Sequence, residues 1–147
     1  NFKFYLVLKE SRPYDIIINK GVSNIANHGK NMIYYDVDNI DTINTFSRDR
    51  AEEYKEKGFE VEEKYIEMVC LNSILEEYSK KVNYISIDVE GGEFEILKDF
   101  DFYKYNVEIF NIEKGDDRCN RLLMDNGYEK VGETPSNLIF IRKGIIS

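Results

Sequence analysis

The stretch Tyr84 to Glu93, Y-I-S-I-D-V-E-G-G-E, constrains this chain more than any other. It opens as a strand. Ile85, Ile87 and Val89 are β-branched and apolar, with Tyr84 and Ser86 between them. So nearly continuous an apolar run predicts a central parallel strand buried on both sides. Two carboxylates, Asp88 and Glu90, and two glycines, Gly91 and Gly92, end the run. Glu93, Phe94, Ile96, Leu97 and Phe100 then continue at helical spacing. The pattern is strand, sharp turn, helix. In open α/β sheets, ligands bind outside the carboxyl ends of the strands, where these acids fall. Acids at the end of a buried strand are costly unless paired or used. In the structural reading, Asp88 caps turn amides and Glu93 partners the helix dipole. Spacing alone leaves that reading and a functional one evenly matched.

The flanking sequence repeats the alternation of strand and helix. Asp15 to Asn19, with Ile16, Ile17 and Ile18, predicts a buried strand, and Gly21, Val22 and Ser23 come at its carboxyl end. Met32 to Val37 predicts a second strand. Thr45 to Lys57 predicts an exposed helix, capped by Thr45 or Ser47 and stopped at Gly58. Glu63 to Leu71 alternates charged and apolar residues, which predicts a strand near an edge. Asn72 or Ser73 is expected to cap a short helix. Val107 to Glu113 predicts another strand ending in an acid. A helix from Asp116 or Asp117 stops at Asn126-Gly127. Tyr128 to Glu133 and Leu138 to Arg142, joined by T-P-S-N, predict an antiparallel hairpin. Asn1 to Glu10 fits a short helix or a strand, and Pro13 breaks it. The order predicts one α/β domain over residues 1–147, mainly parallel, with an antiparallel hairpin at its C-terminal end. Its parallel strands are expected at Asp15 to Asn19, Tyr84 to Val89 and Val107 to Ile112.

Charge and composition narrow the function. The formal net charge is −8, with mixed signs along the chain. That argues against nucleic acid, which needs clustered Lys and Arg. No apolar run reaches the ~18 residues of a membrane span. Cys70 and Cys119 are far apart and suggest neither zinc nor a disulfide framework, so a reducing, cytoplasmic setting is expected. No metal ligand set is evident. His28, the only histidine, lies in a Gly/Asn-rich turn and is assigned no role.

The run I-S-I-D-V-E-G-G-E-F-E-I-L-K resembles the signature of the FkbM-type methyltransferases, whose usual form is I-D-V-E-G-x-E before a leucine-bearing helix. Other segments share the resemblance: S-R-P-Y-D-I-I-I-N-K-G-V-S-N, N-T-F-S at Asn44 to Ser47, F-N-I-E at Phe110 to Glu113, N-G-Y at Asn126 to Tyr128, and S-N-L-I-F-I at Ser136 to Ile141. Together they cover about Ser11 to Lys143. The resemblance implies a Rossmann-like methyltransferase sheet. It implies S-adenosylmethionine as cofactor, and methyl transfer to an oxygen of a small molecule or sugar. Asp88 and Glu90 are then the leading catalytic candidates and Glu113 the next, with Gly21, Val22 and Ser23 flanking the adenine. Glu93 is expected to be structural.

One departure from the family bears on activity. Its members begin with a strand and a glycine-rich loop for the methionine end of the cofactor, then a second strand ending in an acid for the ribose. No such loop precedes Ile16 here, and the resemblance starts just after that second strand. The chain is either a fragment or a reduced protein, and the Asn1 start favours a fragment. By itself it is expected to be inactive and to bind S-adenosylmethionine weakly or not at all. Two rival functions remain: a non-catalytic binding or assembly module of the same ancestry, and a nucleotide-binding dehydrogenase. The second is disfavoured because G-x-G-x-x-G is absent.

Overall fold

A computed structural model describes residues 2–37, 44–78, 81–89 and 91–145, with side chains from residue 5 onward. It is a mixed α/β structure with two sheets. The chain divides into two compact units, one of residues 1–21 and 28–69, the other of residues 22–27 and 70–147.

The first unit opens with helix α1 (Phe2–Ser11). Ser11 closes it by donating from Oγ to the Val7 carbonyl at 2.9 Å, two residues ahead of Pro13. The strand expected at Asp15 to Asn19 does not form. Those residues are irregular, Asp15 bonds back to the Arg12 carbonyl in a turn, and Ile16 is 60% exposed. A β-branched run needs a partner ladder to become a strand, and here the ladder starts later, at β1 (Gly21–Ser23). β2 (Asn31–Val37) pairs antiparallel with β3 (Val61–Cys70), from Asn31↔Glu67 to Val37↔Val61. The sheet order is β1-β3-β2. β3 is therefore the middle strand and not an edge; its charged positions mark an exposed face. Lys64, on the face opposite Glu63, Tyr65 and Glu67, bonds the buried Asp36 carboxylate of β2. Helix α2 (Arg48–Glu56) is capped by Ser47, whose Oγ accepts from the Arg50 amide. Only Ala51 of this helix is buried, as an exposed amphipathic helix requires.

The second unit is built on a four-stranded sheet in the order β4-β5-β7-β6. β4 (Tyr84–Ile87) runs parallel to β5 (Ile109–Glu113). The hairpin of β6 (Tyr128–Glu133) and β7 (Asn137–Arg142) joins antiparallel through β7. Among the described residues, β4 stands at the edge, not at the centre. The expectation of burial on both faces also fails: Ile85 and Ile87 are buried, but Tyr84 is 54% exposed and Ser86 is exposed. Y-I-S-I is an alternating pattern, which signals one buried face.

That face carries Ile85, Ile87, Phe110, Ile112, Leu138 and Phe140. Onto it pack α4 (Glu93–Leu97), α5 (Phe102–Tyr105) and α6 (Asp117–Asp125) through Ile96, Leu97, Phe102 and Leu123. Tyr128 and Phe110 meet edge-on at 5.2 Å between ring centroids. Helix α3 (Leu71–Tyr78) starts before its expected cap. Asn72 is used elsewhere, donating to the Asp99 carbonyl and accepting from the Asp101 amide. No described helix is long and apolar enough to cross a membrane.

Candidate active site

The parallel register of β4 and β5 brings two of the candidate acids to neighbouring strand ends. Ser86 pairs with Asn111 and Ile87 with Ile112. Asp88 and Glu113 are the next residues on each chain. Residues in register on adjacent strands project to the same face, about 4.8 Å apart along the hydrogen-bonding direction. The Ser86–Asn111 pair shows this directly, with Asn111 Nδ2 donating to Ser86 Oγ at 3.0 Å. Asp88 is exposed and Glu113 half-buried. The row continues onto β7, where Asn137 is in register with Glu113. Asn137 Oδ1 is buried without a hydrogen-bond partner among the described residues. Glu90 lies outside the described residues.

The turn after Asp88 is held by another acid. Glu93 is 4% exposed, and its Oε1 accepts from the backbone amides of Val89 at 3.1 Å and Gly91 at 3.2 Å. Helix α4 begins at Gly92, which has no side chain to act as a cap. Glu93, in the first turn, reaches back to amides of the turn that precedes the helix. Gly91 has φ +105°, a conformation L side chains rarely adopt, so the turn requires glycine there. Among the described residues, no hydrogen bond or ion pair engages the Asp88 carboxylate. Glu93 is structural, as its helix-start position suggests, and the capping job weighed for Asp88 belongs to it.

Gly21, Val22 and Ser23 make β1. A Cβ on Gly21 would lie 2.4 Å from Met68 Sδ, so the absence of a side chain there serves packing within the first unit. In the second unit, Val22 packs against the core, and buried Ser23 accepts from Asn27 Nδ2 at 3.0 Å. Two polar residues outside the candidate set tie the end of β1 to helix α4. Buried Asn24 donates from Nδ2 to Glu95 Oε2 at 2.7 Å and accepts from the Asn27 amide. The Lys98 ammonium, 2.7 Å from Glu95, and Asn24 hold the Glu95 carboxyl below its usual range. Asn24 and Glu95 stand 71 positions apart, and no local pattern links them.

Ser23 also lines a hollow in the second unit with Ile25, Leu71, Asn72, Ile96 and Phe100. The hollow is too narrow to admit a water molecule.

The model of the methyltransferase FkbM domain matches residues 7–130 of the 147. This chain belongs to the FkbM methyltransferase family. No curated protein and no solved structure matches it. The FkbM match takes in β1, the Asp88 turn and the Glu113 strand end. Asp88 follows the last residue of β4 and Glu113 ends β5, at the carboxyl end of two parallel strands, where a carboxylate can accept a proton from a hydroxyl or orient it. No group of acids, cysteines or histidines able to hold a metal occurs among the described residues.

Proposed function

We propose that this FkbM domain is an S-adenosylmethionine-dependent methyltransferase of Rossmann-like ancestry that methylates an oxygen of a small molecule or sugar. The observation that carries the reading is the division of labour at the central turn. Glu93 satisfies the turn amides, while Asp88 has no structural partner among the described residues. A carboxylate at a strand end with no structural duty is available for chemistry.

The family resemblance places the adenosine at the end of β1, where the buried Ser23 lies near Ile25, Leu71 and Phe100. Val22 and Ser23 would hold that end, by the family resemblance. When bound, S-adenosylmethionine supplies an electrophilic methyl group on a sulfonium. The chain's own part is to place the acceptor oxygen in line and remove its proton. Asp88 takes the proton, Glu113 orients the hydroxyl from the neighbouring strand end, and Glu90 is the second acid of the motif. Gly21 is the candidate whose conformation serves packing, against Met68.

The narrowness of the hollow favours a second reading, a binding or assembly module of methyltransferase ancestry without turnover. Transfer of labelled methyl from S-adenosylmethionine to hydroxylated small molecules and sugars separates the two. The enzyme reading expects transfer that falls in Asp88→Asn. Transfer by the full-length enzyme that is unaffected by Asp88→Asn would contradict it.

A further inference from the structure

Helix α4 is only five residues long, yet its two acids reach in two directions. Glu93 binds the Val89 and Gly91 amides of the turn after Asp88. Glu95, two residues on, binds Asn24, the residue directly after Ser23. A second tie from the same segment joins the Ile25 amide to Asp99 Oδ2 at 3.1 Å, just past the helix. The helix body is fixed from below, since Ile96 and Leu97 are 4% and 0% exposed in the core. The loop expected beside the cofactor and the turn expected beside the acceptor are therefore fastened to one rigid piece.

We propose that α4 couples these two loops, with Glu93 and Glu95 as positioning residues. Ordering the Val22–Asn24 segment around an adenosyl ligand restrains α4 through Asn24 and Glu95. The restraint passes through Glu93 to the Asp88 turn. Binding that stiffens one element lowers the entropic cost of ordering what is attached to it. The coupling rests on the methyltransferase reading, because that reading supplies the ligand beside Ser23. Cofactor occupancy would then prepare the catalytic turn before the acceptor arrives.

The test uses amide hydrogen exchange and NMR shifts of the whole chain with millimolar S-adenosylhomocysteine as probe. In wild type, the Val22 and Ser23 amides shift, and exchange at Val89 and Gly91 slows severalfold. In Glu95→Ala the response at Val22 and Ser23 persists, while the slowing at Val89 and Gly91 is lost. Glu95→Gln, which keeps an acceptor oxygen for Asn24, restores it. A residue that merely stabilised the fold would change exchange equally with and without the probe. Slowing at Val89 and Gly91 that survives Glu95→Ala, or wild type responding only at Val22 and Ser23, would overturn the coupling. No response at Val22 and Ser23 would overturn the adenosyl site beside Ser23 and the coupling that rests on it.

Discussion

Glu93 Oε1 lies 3.1 Å from the backbone nitrogen of Val89 and accepts its hydrogen bond. The same oxygen takes the Gly91 amide, so a single buried carboxylate shapes the turn that presents Asp88. Truncating Glu93 to alanine leaves those donors without their partner. Val89 and Gly91 are exposed, so water can reach the freed amides and the cost is the net one of lost hydrogen bonds, about 0.5–1.5 kcal/mol each. A chain of this size loses roughly 2–4 °C of Tm per kcal/mol. A thermal melt of Glu93→Ala should therefore show a fall of several degrees, with Glu93→Gln intermediate because one acceptor oxygen remains.

Two glycines should resist substitution for different reasons. Gly91→Ala forces a side chain into φ +105°, a strain of about 1–3 kcal/mol, although open space surrounds its Cβ position. Gly21→Ala has no such backbone strain, but its Cβ meets Met68 Sδ and Cε. The end of a flexible methionine can move, so overpacking there should cost about 1–3 kcal/mol at most. A second change, Met68→Ala, should relieve Gly21→Ala and leave Gly91→Ala untouched. Denaturant melts of the double variants check this.

Much of this arrangement was legible in the sequence. The helix after the Asp88 turn, the strand ending at Glu113 (Ile109–Glu113, two residues shorter than expected), the Asp116 cap and the closing hairpin appear where periodicity and turn residues place them. Three features were not. The Ile16–Ile18 run looks like a strand because β-branched residues favour one, but strand formation needs a partner that local sequence does not specify. The edge position of β4 depends on sheet order, a nonlocal property, even though the Y-I-S-I alternation already hints at one open face. The Asn24–Glu95 clasp spans 71 positions and has no local signal. Glu93 was legible as a structural acid from its place at a helix start, but its binding of the turn amides, weighed for Asp88, was not.

Tyr128 anchors the far side of the core. It is fully buried, donates to the Val107 carbonyl at 2.6 Å and accepts from Arg142 Nη2 at 2.7 Å. Tyr128→Phe keeps the ring contacts with Phe110 and removes both bonds. The Val107 carbonyl retains Arg142 Nε at 3.2 Å. The net loss should be about 0.5–1.5 kcal/mol, read as a shift in urea midpoint with unchanged slope.

Acid should weaken the second unit through two carboxylates. Lys98 and Asn24 lower the Glu95 pKa from its ordinary 4.5, and Arg118 lowers that of Asp116 from 3.8. A carboxyl titrating lower when folded contributes stability above its unfolded value and loses it as pH falls through the folded one. Both groups are partly exposed, so each contribution should stay below about 1 kcal/mol. Tm should decline below pH 4.5, and less steeply in Glu95→Gln. At the alkaline side, burial pushes the Cys119 thiol up to about 12. Iodoacetamide should leave Cys119 unmodified at pH 8 in the folded protein and modify it after unfolding, as read by mass spectrometry.

The central claim is that Asp88 serves the reaction and Glu93 the fold. A paired measurement on Asp88→Asn tests it most directly: the thermal melt, and single-turnover transfer of labelled methyl from S-adenosylmethionine to a hydroxylated acceptor by the full-length enzyme. Asparagine keeps the shape and one acceptor oxygen, and the Asp88 side chain is exposed, so Tm should stay within a degree or so of wild type. Transfer should fall by roughly a hundredfold or more, the scale of a lost general base. A variant that melts several degrees lower while transferring methyl within a fewfold of wild type would contradict the account.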